Sequence, residues 1–214
     1  AMGLHTAFAL HHIKYCSKES LEFTEAYFLA LNYYSLVSSN RIARERHETF
    51  YEFADSRYAD GSYFSPYVEQ DFVFRFPKIA AIFKDIPIPT KEDWKVLREK
   101  VMKDGLYHRN RLAVAPNGSI SYINETSASL HPITQLVENR QEKKVGSIFY
   151  PAPYLSNDTL PFYETAYNMD QRKIIDVYAV AQKHIDQGMS LTLFMRSQLP
   201  EGLYGWKTKG NTML

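Results

Sequence analysis

The stretch best supplied with groups that could hold a ligand runs from Arg111 to Pro132. A short apolar run, Leu112 to Ala115, breaks at Pro116, Asn117 and Gly118. Hydroxyls at Ser119 and Ser121 then alternate with Ile120, Tyr122 and Ile123. A second polar cluster, Asn124 to Ser129, closes at His131 and Pro132. Apolar strand, glycine turn and small polar residues together can form an anion cradle. Glycine lets backbone come close to a ligand. Consecutive free N–H groups at a turn or helix start point at negative charge, and serine hydroxyls add donors without bulk. The plainer reading is a hairpin: Asn-Gly between two apolar runs is the strongest short hairpin signal, and spacing alone favours it.

Other reactive side chains offer less. The seven histidines, His5, His11, His12, His47, His108, His131 and His184, include no pair at i, i+4 with the glutamate of a zinc-hydrolase helix. No metal site is expected. His131 beside Pro132 reads as a turn residue. Cys16 lies just before a helix start, where a thiol pKa can fall, yet no base partner accompanies it. A lone cysteine has no partner for an internal disulfide, and cytosolic life is the simplest reading.

These groups need a scaffold, and the chain has material for one. Its 214 residues suffice for a single large domain with a real core. Hydrophobic residues at 45% and charged residues at 23% are ordinary globular composition. A formal net charge of +1 gives no basic field for nucleic acid. No apolar run reaches membrane-spanning length and no signal peptide is visible, so no membrane is expected.

Residues 2–15 read as a short helix. Ser17 is a good N-cap and Glu19 suits the first turn, so residues 18–46 read as one long central helix. Its middle, Ala26 to Val37, is apolar nearly all round, which predicts burial on most sides. Pro and Gly cut residues 50–92 into turns and short helices. The aromatics there, Tyr58, Tyr63, Phe64, Tyr67, Phe72, Phe74 and Phe76, predict a surface or a face laid against another segment. Thr90 caps a helix with Trp94, Leu97 and Val101 on one stripe, stopped by Gly105. Ile148 to Tyr150 reads as a strand end. Asp170 starts a helix predicted to run through Gln187 and stop at Gly188, before a short buried strand, Ser190 to Phe194. A helix feeding a buried strand, twice over, predicts α/β packing of the barrel kind.

Several blocks resemble one family. Ala113 to Asn124, followed by Ser/Thr residues and Leu130, His131, Pro132 and Ile133, looks like the substrate phosphate loop of ribonucleotide reductase, nearest the large (alpha) subunit of the class Ib enzymes. That family holds the substrate diphosphate with a Pro-Thr-Gly-Ser-Ile loop. The matching residues are Pro116, Asn117, Gly118, Ser119 and Ile120, and Asn117 departs from the usual Thr. Backbone amides survive that change, while a hydroxyl donor becomes an amide. Asn40 to Arg46, Ser56 to Phe64, Tyr150 to Tyr154 and His184 to Phe194 resemble further family segments, in the family's order, over essentially all 214 residues.

The resemblance implies a helix-rich α/β fragment of the ten-stranded α/β barrel, with residues 1–214 a single segment incomplete at both ends. It implies radical reduction of ribonucleoside diphosphates. The family's radical cysteine lies in an Asn-x-Cys-x-Glu loop, which this sequence lacks, as it lacks the reducing cysteines. Tyr33 and Tyr34 lie outside the context of the family's tyrosine pair. No catalytic residue is therefore expected here, and the chain alone is expected to be inactive. Partners implied are the N-terminal remainder of the alpha subunit, a second alpha, a beta subunit and a glutaredoxin-like or thioredoxin reductant. No cofactor is expected on this segment, because the radical would come from the metal-containing beta subunit. The rival expectation is a non-catalytic scaffold or interaction protein derived from the reductase, using the Tyr58 to Phe76 aromatics as its binding surface.

Overall fold

The structure, a computed structural model, describes residues 1–142 and 146–195. The closing residues Gly210 to Leu214 lie outside that range. A short helix α1, Leu4–Leu10, opens the chain. It is shorter than the predicted 2–15, because His12 turns into the left-handed region (φ 55°) and redirects the backbone. The spine is α2, Lys18–Arg46, with both ends where the sequence puts them. Ser17 accepts the N–H of Ser20 at 3.1 Å, satisfying one of the free donors of the first turn. At the charged end Arg41 pairs with Glu45, one turn on, at 3.1 Å.

Short helices α3, Ser65–Val68, and α4, Pro77–Ile82, follow. Helix α5, Lys91–Asp104, starts from a reciprocal cap: Thr90 Oγ1 accepts the Asp93 N–H, and Asp93 accepts the Thr90 N–H at 2.8 Å. It stops at Gly105, whose φ of 77° suits glycine. The Asn40 side chain of α2 donates to the Gly105 carbonyl at 2.8 Å, tying that helix end to the spine. After α6, Gly118–Ile123, comes an antiparallel hairpin, β1, Val137–Glu142, with β2, Gly146–Pro151, in register Val137 to Pro151. The predicted strand end Ile148–Tyr150 lies in β2, while β1 carried no clear signal. Helix α7, Gln171–Gln182, is capped by Asp170, which accepts the Arg172 N–H at 3.0 Å.

The spine separates two cores. One side of α2, with Phe23, Ala26 and Phe28, packs with Phe8, Ile79, Phe83, Ile174, Val177 and Tyr178. The other, with Leu29 and Leu36, packs with Phe64, Tyr67, Trp94, Leu97, Val101 and Leu106. Burial on two sides explains the near-continuous apolar middle of α2. A third side reaches solvent, however, with Tyr27, Tyr34 and Val37 exposed. The aromatics from Tyr58 to Phe76 are all buried or half-buried, contrary to the surface reading. Tyr67 stacks on Trp94 at 4.1 Å between ring centroids. The second core takes in Tyr58, Tyr63, Phe64, Tyr67 and Phe72, while Phe74 and Phe76 pack against the first, so these rings lie against other segments.

The strand content is lower than the sequence predicts. Beside the hairpin, one parallel bridge joins Val114 to Met189 among the described residues. The Gln187 N–H reaches the Leu112 carbonyl at 3.1 Å and the Ser190 N–H the Val114 carbonyl at 2.8 Å. Two segments, each following a helix, thus lie side by side, as in an α/β unit. Ser190 to Phe194 is neither a regular strand nor buried: Leu191 and Leu193 are each 42% exposed. Helix α7 ends at Gln182, five residues before the predicted Gln187. His184, Ile185 and Asp186 turn inward instead of continuing the helix, so Gly188 is not the stop.

A candidate substrate phosphate loop

Pro116 to Ile120 sits where the parallel bridge ends and α6 begins. No hairpin forms there. A two-residue turn of the Asn-Gly type needs positive φ at both central residues, and Asn117 has φ −106° while Gly118 is not among the positive-φ glycines. The segment before the turn already has its pairing partner in residues 187–190, so the chain turns into helix. Gly118, Ser119 and Ile120 form the first turn of α6, and a first helical turn has no intrahelical acceptor for its N–H groups. The Asn117 side chain accepts none of them. Pro116, Gly118, Ser119 and Ile120 are exposed and Asn117 is half-buried. A Cβ added at Gly118 would meet no atom within 4 Å. The structure therefore places all five predicted residues together, on an open face with free donors.

The loop is held at both ends. Downstream, Thr6 and Ser127 exchange hydrogen bonds: the Thr6 N–H donates to Ser127 Oγ at 3.1 Å and the Ser127 N–H to Thr6 Oγ1 at 2.8 Å. The Gly3 N–H adds a bond to the Ser127 carbonyl at 2.8 Å, and the Tyr15 hydroxyl donates to the Leu130 carbonyl at 2.6 Å. Glu125 and Ser129, both at φ 48°, make the sharp bends that this tethering needs. Within the polar run Asn124 to Ser129, Ser127 thus fastens the chain to α1, while Asn124, Glu125 and Thr126 bond back to α6.

Upstream, the Arg111 side chain turns away from the loop. It is only 3% exposed and lies among α2, Tyr58, Tyr63 and Asp186. It donates to Ser35 Oγ at 2.6 Å, Asn32 Oδ1 at 3.1 Å and the Tyr58 hydroxyl at 2.9 Å. Its Nε lies 3.6 Å from Asp186. The Asp186 carboxylate also accepts two backbone N–H groups, from Arg111 at 3.0 Å and Leu112 at 2.7 Å. Sequence reasoning missed this cluster. Asn32 and Ser35 were its one visible sign, as polar interruptions in the apolar middle of α2.

On the other flank, Tyr122 of α6 faces the hairpin. Its hydroxyl bonds to Glu138, and the Arg140 guanidinium lies 4.1 Å over its ring. Burial, then the Glu138 carboxylate, pushes the Tyr122 phenol up to about 12. The remaining titratable candidates are structural. His5 donates from Nε2 to the Phe162 carbonyl at 3.1 Å and accepts the Ile133 N–H at Nδ1, and burial pushes its pKa down to about 4. Burial likewise takes His184 to about 4. His131 contacts the carbonyl of Pro132, its chain neighbour. Burial pushes the Cys16 thiol up to about 11, opposite to the lowering its place before α2 suggested: half-covering the thiol outweighs the helix start. Among the described residues no group of three or more His, Cys, Asp or Glu could hold a metal ion.

The family model for the ribonucleotide reductase barrel domain matches residues 1–209. The chain belongs to that family. It is 43% identical over 199 residues to the ribonucleoside-diphosphate reductase subunit alpha of Bacillus subtilis (strain 168), covering 93% of this chain and 28% of that protein. The subunit alpha of Mycoplasma pneumoniae is 40% identical over 201 residues, covering 91% and 28%. That of Helicobacter pylori is 31% identical over 207 residues, covering 94% and 24%. The chain thus spans about a quarter of the length of these reductase relatives. Its helix-rich body, with a two-stranded sheet and one parallel bridge, is a part of the family's barrel domain. No helix among the described residues is long and apolar enough to cross a membrane.

Proposed function

We propose that this segment supplies the substrate phosphate loop and part of the barrel scaffold of a class Ib ribonucleoside-diphosphate reductase alpha subunit. The observation that carries the reading is the open first turn of α6, Gly118 to Ile120, with its donors free at the end of the only parallel pairing among the described residues. Three backbone N–H groups, with the Ser119 hydroxyl beside them, suit the oxygens of a diphosphate. Gripping a remote diphosphate fixes the ribose relative to the reacting centre, so binding energy far from the chemistry sets its position. The full ten-stranded barrel, the radical cysteine and the reducing thiols then come from the rest of the alpha subunit. The exposed Leu191, Leu193 and Met195 beside the parallel bridge fit a sheet that continues into that remainder. A second alpha, a metal-containing beta subunit that supplies the radical, and a glutaredoxin-like or thioredoxin reductant complete the proposed assembly, in the cytoplasm.

The rival reading, a scaffold that binds through the Tyr58 to Phe76 aromatics, loses its surface because those rings are in the core. The test is ribonucleoside-diphosphate reduction with the chain alone and then mixed with the N-terminal remainder, beta subunit and reductant. Activity in the mixture and none alone is the expected result. Absence of both activity and association in the mixture overturns the reading.

A further inference from the structure

We infer that the buried Asp186–Arg111 pair is a positioning latch for the phosphate loop, so that the carboxylate of Asp186 sets how well the reductase holds its nucleoside diphosphate. The inference rests on the proposed function of the loop. The Asp186 side chain is 7% exposed, and the residue lies just before the segment that pairs with the loop's leading strand. One carboxylate oxygen takes the Arg111 N–H and the other the Leu112 N–H, at 3.0 and 2.7 Å. Both oxygens are thereby spent on fixing backbone at the first residues of that strand. From there Leu112 and Val114 pair with Gln187 to Ser190. From Leu112 to Pro116 is four residues, about 13 Å of extended chain.

That pairing is short, and a short pairing has little of its own to resist slippage. A slip by one residue would turn every following side chain over and shift the loop by roughly 3 Å along the strand. Asp186 blocks the slip, since its two oxygens match one register only. The Arg111 guanidinium faces the carboxylate as an ion pair, with Nε 3.6 Å from Asp186 and not hydrogen-bonded to it. The guanidinium is anchored on α2 through Ser35 at 2.6 Å and Asn32 at 3.1 Å, and on Tyr58 at 2.9 Å. The loop is therefore referenced to the spine helix, the most extended rigid element of the fold. Neither residue reaches the loop's exposed face, so the pair positions the loop without touching ligand.

The test uses the complete reductase carrying this segment. Asp186→Asn keeps the size but cannot accept both N–H groups through equivalent charged oxygens. The expected result is a KM for ribonucleoside diphosphate raised at least tenfold in the folded enzyme, with kcat unchanged or lowered as the ribose is misplaced. A purely structural role would instead lower kcat and the amount of folded enzyme together and leave KM in the remaining enzyme unchanged. That outcome overturns the inference. Should Asp186→Asn fail to fold, Ser35→Ala decides, because it keeps the buried ion pair and removes one anchor of Arg111. KM raised about threefold in the folded enzyme supports the latch, and an unchanged KM overturns it. Gly118→Val run in parallel separates the two readings. If it leaves diphosphate affinity unchanged, the loop's function fails; if it weakens affinity while Asp186→Asn and Ser35→Ala do not, the latch alone fails.

Discussion

Valine at position 118 gives the sharpest test of the phosphate loop, because the structure separates its effect on binding from its effect on folding. Gly118 is exposed, and a Cβ there meets nothing within 4 Å. It is not one of the positive-φ glycines, so a side chain brings no backbone strain. In helix interiors Val is slightly preferred to Gly, so Gly118→Val should leave the thermal midpoint unchanged or raise it slightly. The added methyl groups stand on the face where a phosphate oxygen must approach the first-turn N–H groups. Each charge-assisted hydrogen bond lost there costs about 1.5–3 kcal/mol, or roughly 10- to 150-fold in affinity. With two donors blocked, binding of the diphosphate should fall out of measurable range. The assay is equilibrium titration of the complete enzyme with a ribonucleoside diphosphate, alongside the corresponding nucleoside, whose weaker binding should not change. Diphosphate affinity within twofold of the unsubstituted enzyme would refute the reasoning.

Three other outcomes follow from buried groups. His5 and His184 each have a pKa lowered from 6.5 to about 4 by burial, so between those values the unfolded chain binds more protons than the folded one. Stability is therefore full above pH 6.5 and falls as pH drops towards 4, by about 3 kcal/mol per histidine; urea midpoints across that range check it, and a flat profile counts against it. His5→Gln, which keeps one donor and one acceptor, should remove part of the slope. Gly105→Ala should destabilise the chain by about 1–3 kcal/mol, because the position has φ 77° and an added Cβ would lie 2.3 Å from Thr49 Cγ2; an unchanged thermal midpoint would show that the turn relaxes freely. Burial raises the Cys16 thiol from 9.0 to about 11, so its thiolate is reduced about a hundredfold at a given pH. Alkylation by iodoacetamide near pH 8 should be correspondingly slow in the native chain and speed up in urea, and equal rates in both would contradict the burial.

What the sequence determined by itself is what neighbouring residues decide. Ser17 and the run after it placed α2 at Lys18–Arg46, and Thr90 with Asp93 placed the start of α5, because a cap needs only partners three residues away. Residue types marked Pro116 to Ile120, spacing alone favoured a hairpin there, and the resemblance pointed to a loop; the structure puts them on an exposed turn that opens α6. The tertiary structure decided whatever depended on a distant partner. Asn117-Gly118 looks locally like a hairpin, but residues 187–190 had already taken the strand's hydrogen bonds, so the turn opens a helix. The aromatics from Tyr58 to Phe76 suit either a surface or a packed face, and the two cores on either side of α2 decide for packing. Helix α7 could have run to Gln187, but the chain gains more by turning His184 to Asp186 into the core. Nothing near Arg111 in the sequence names its partner, and only the fold brings Asp186, 75 residues later, to accept its backbone N–H. Local hydrogen bonds cost little chain entropy to form and leave their mark in nearby residues. A contact between residues far apart has no local trace, and its choice of partner is settled by which arrangement leaves the fewest buried polar groups unpaired.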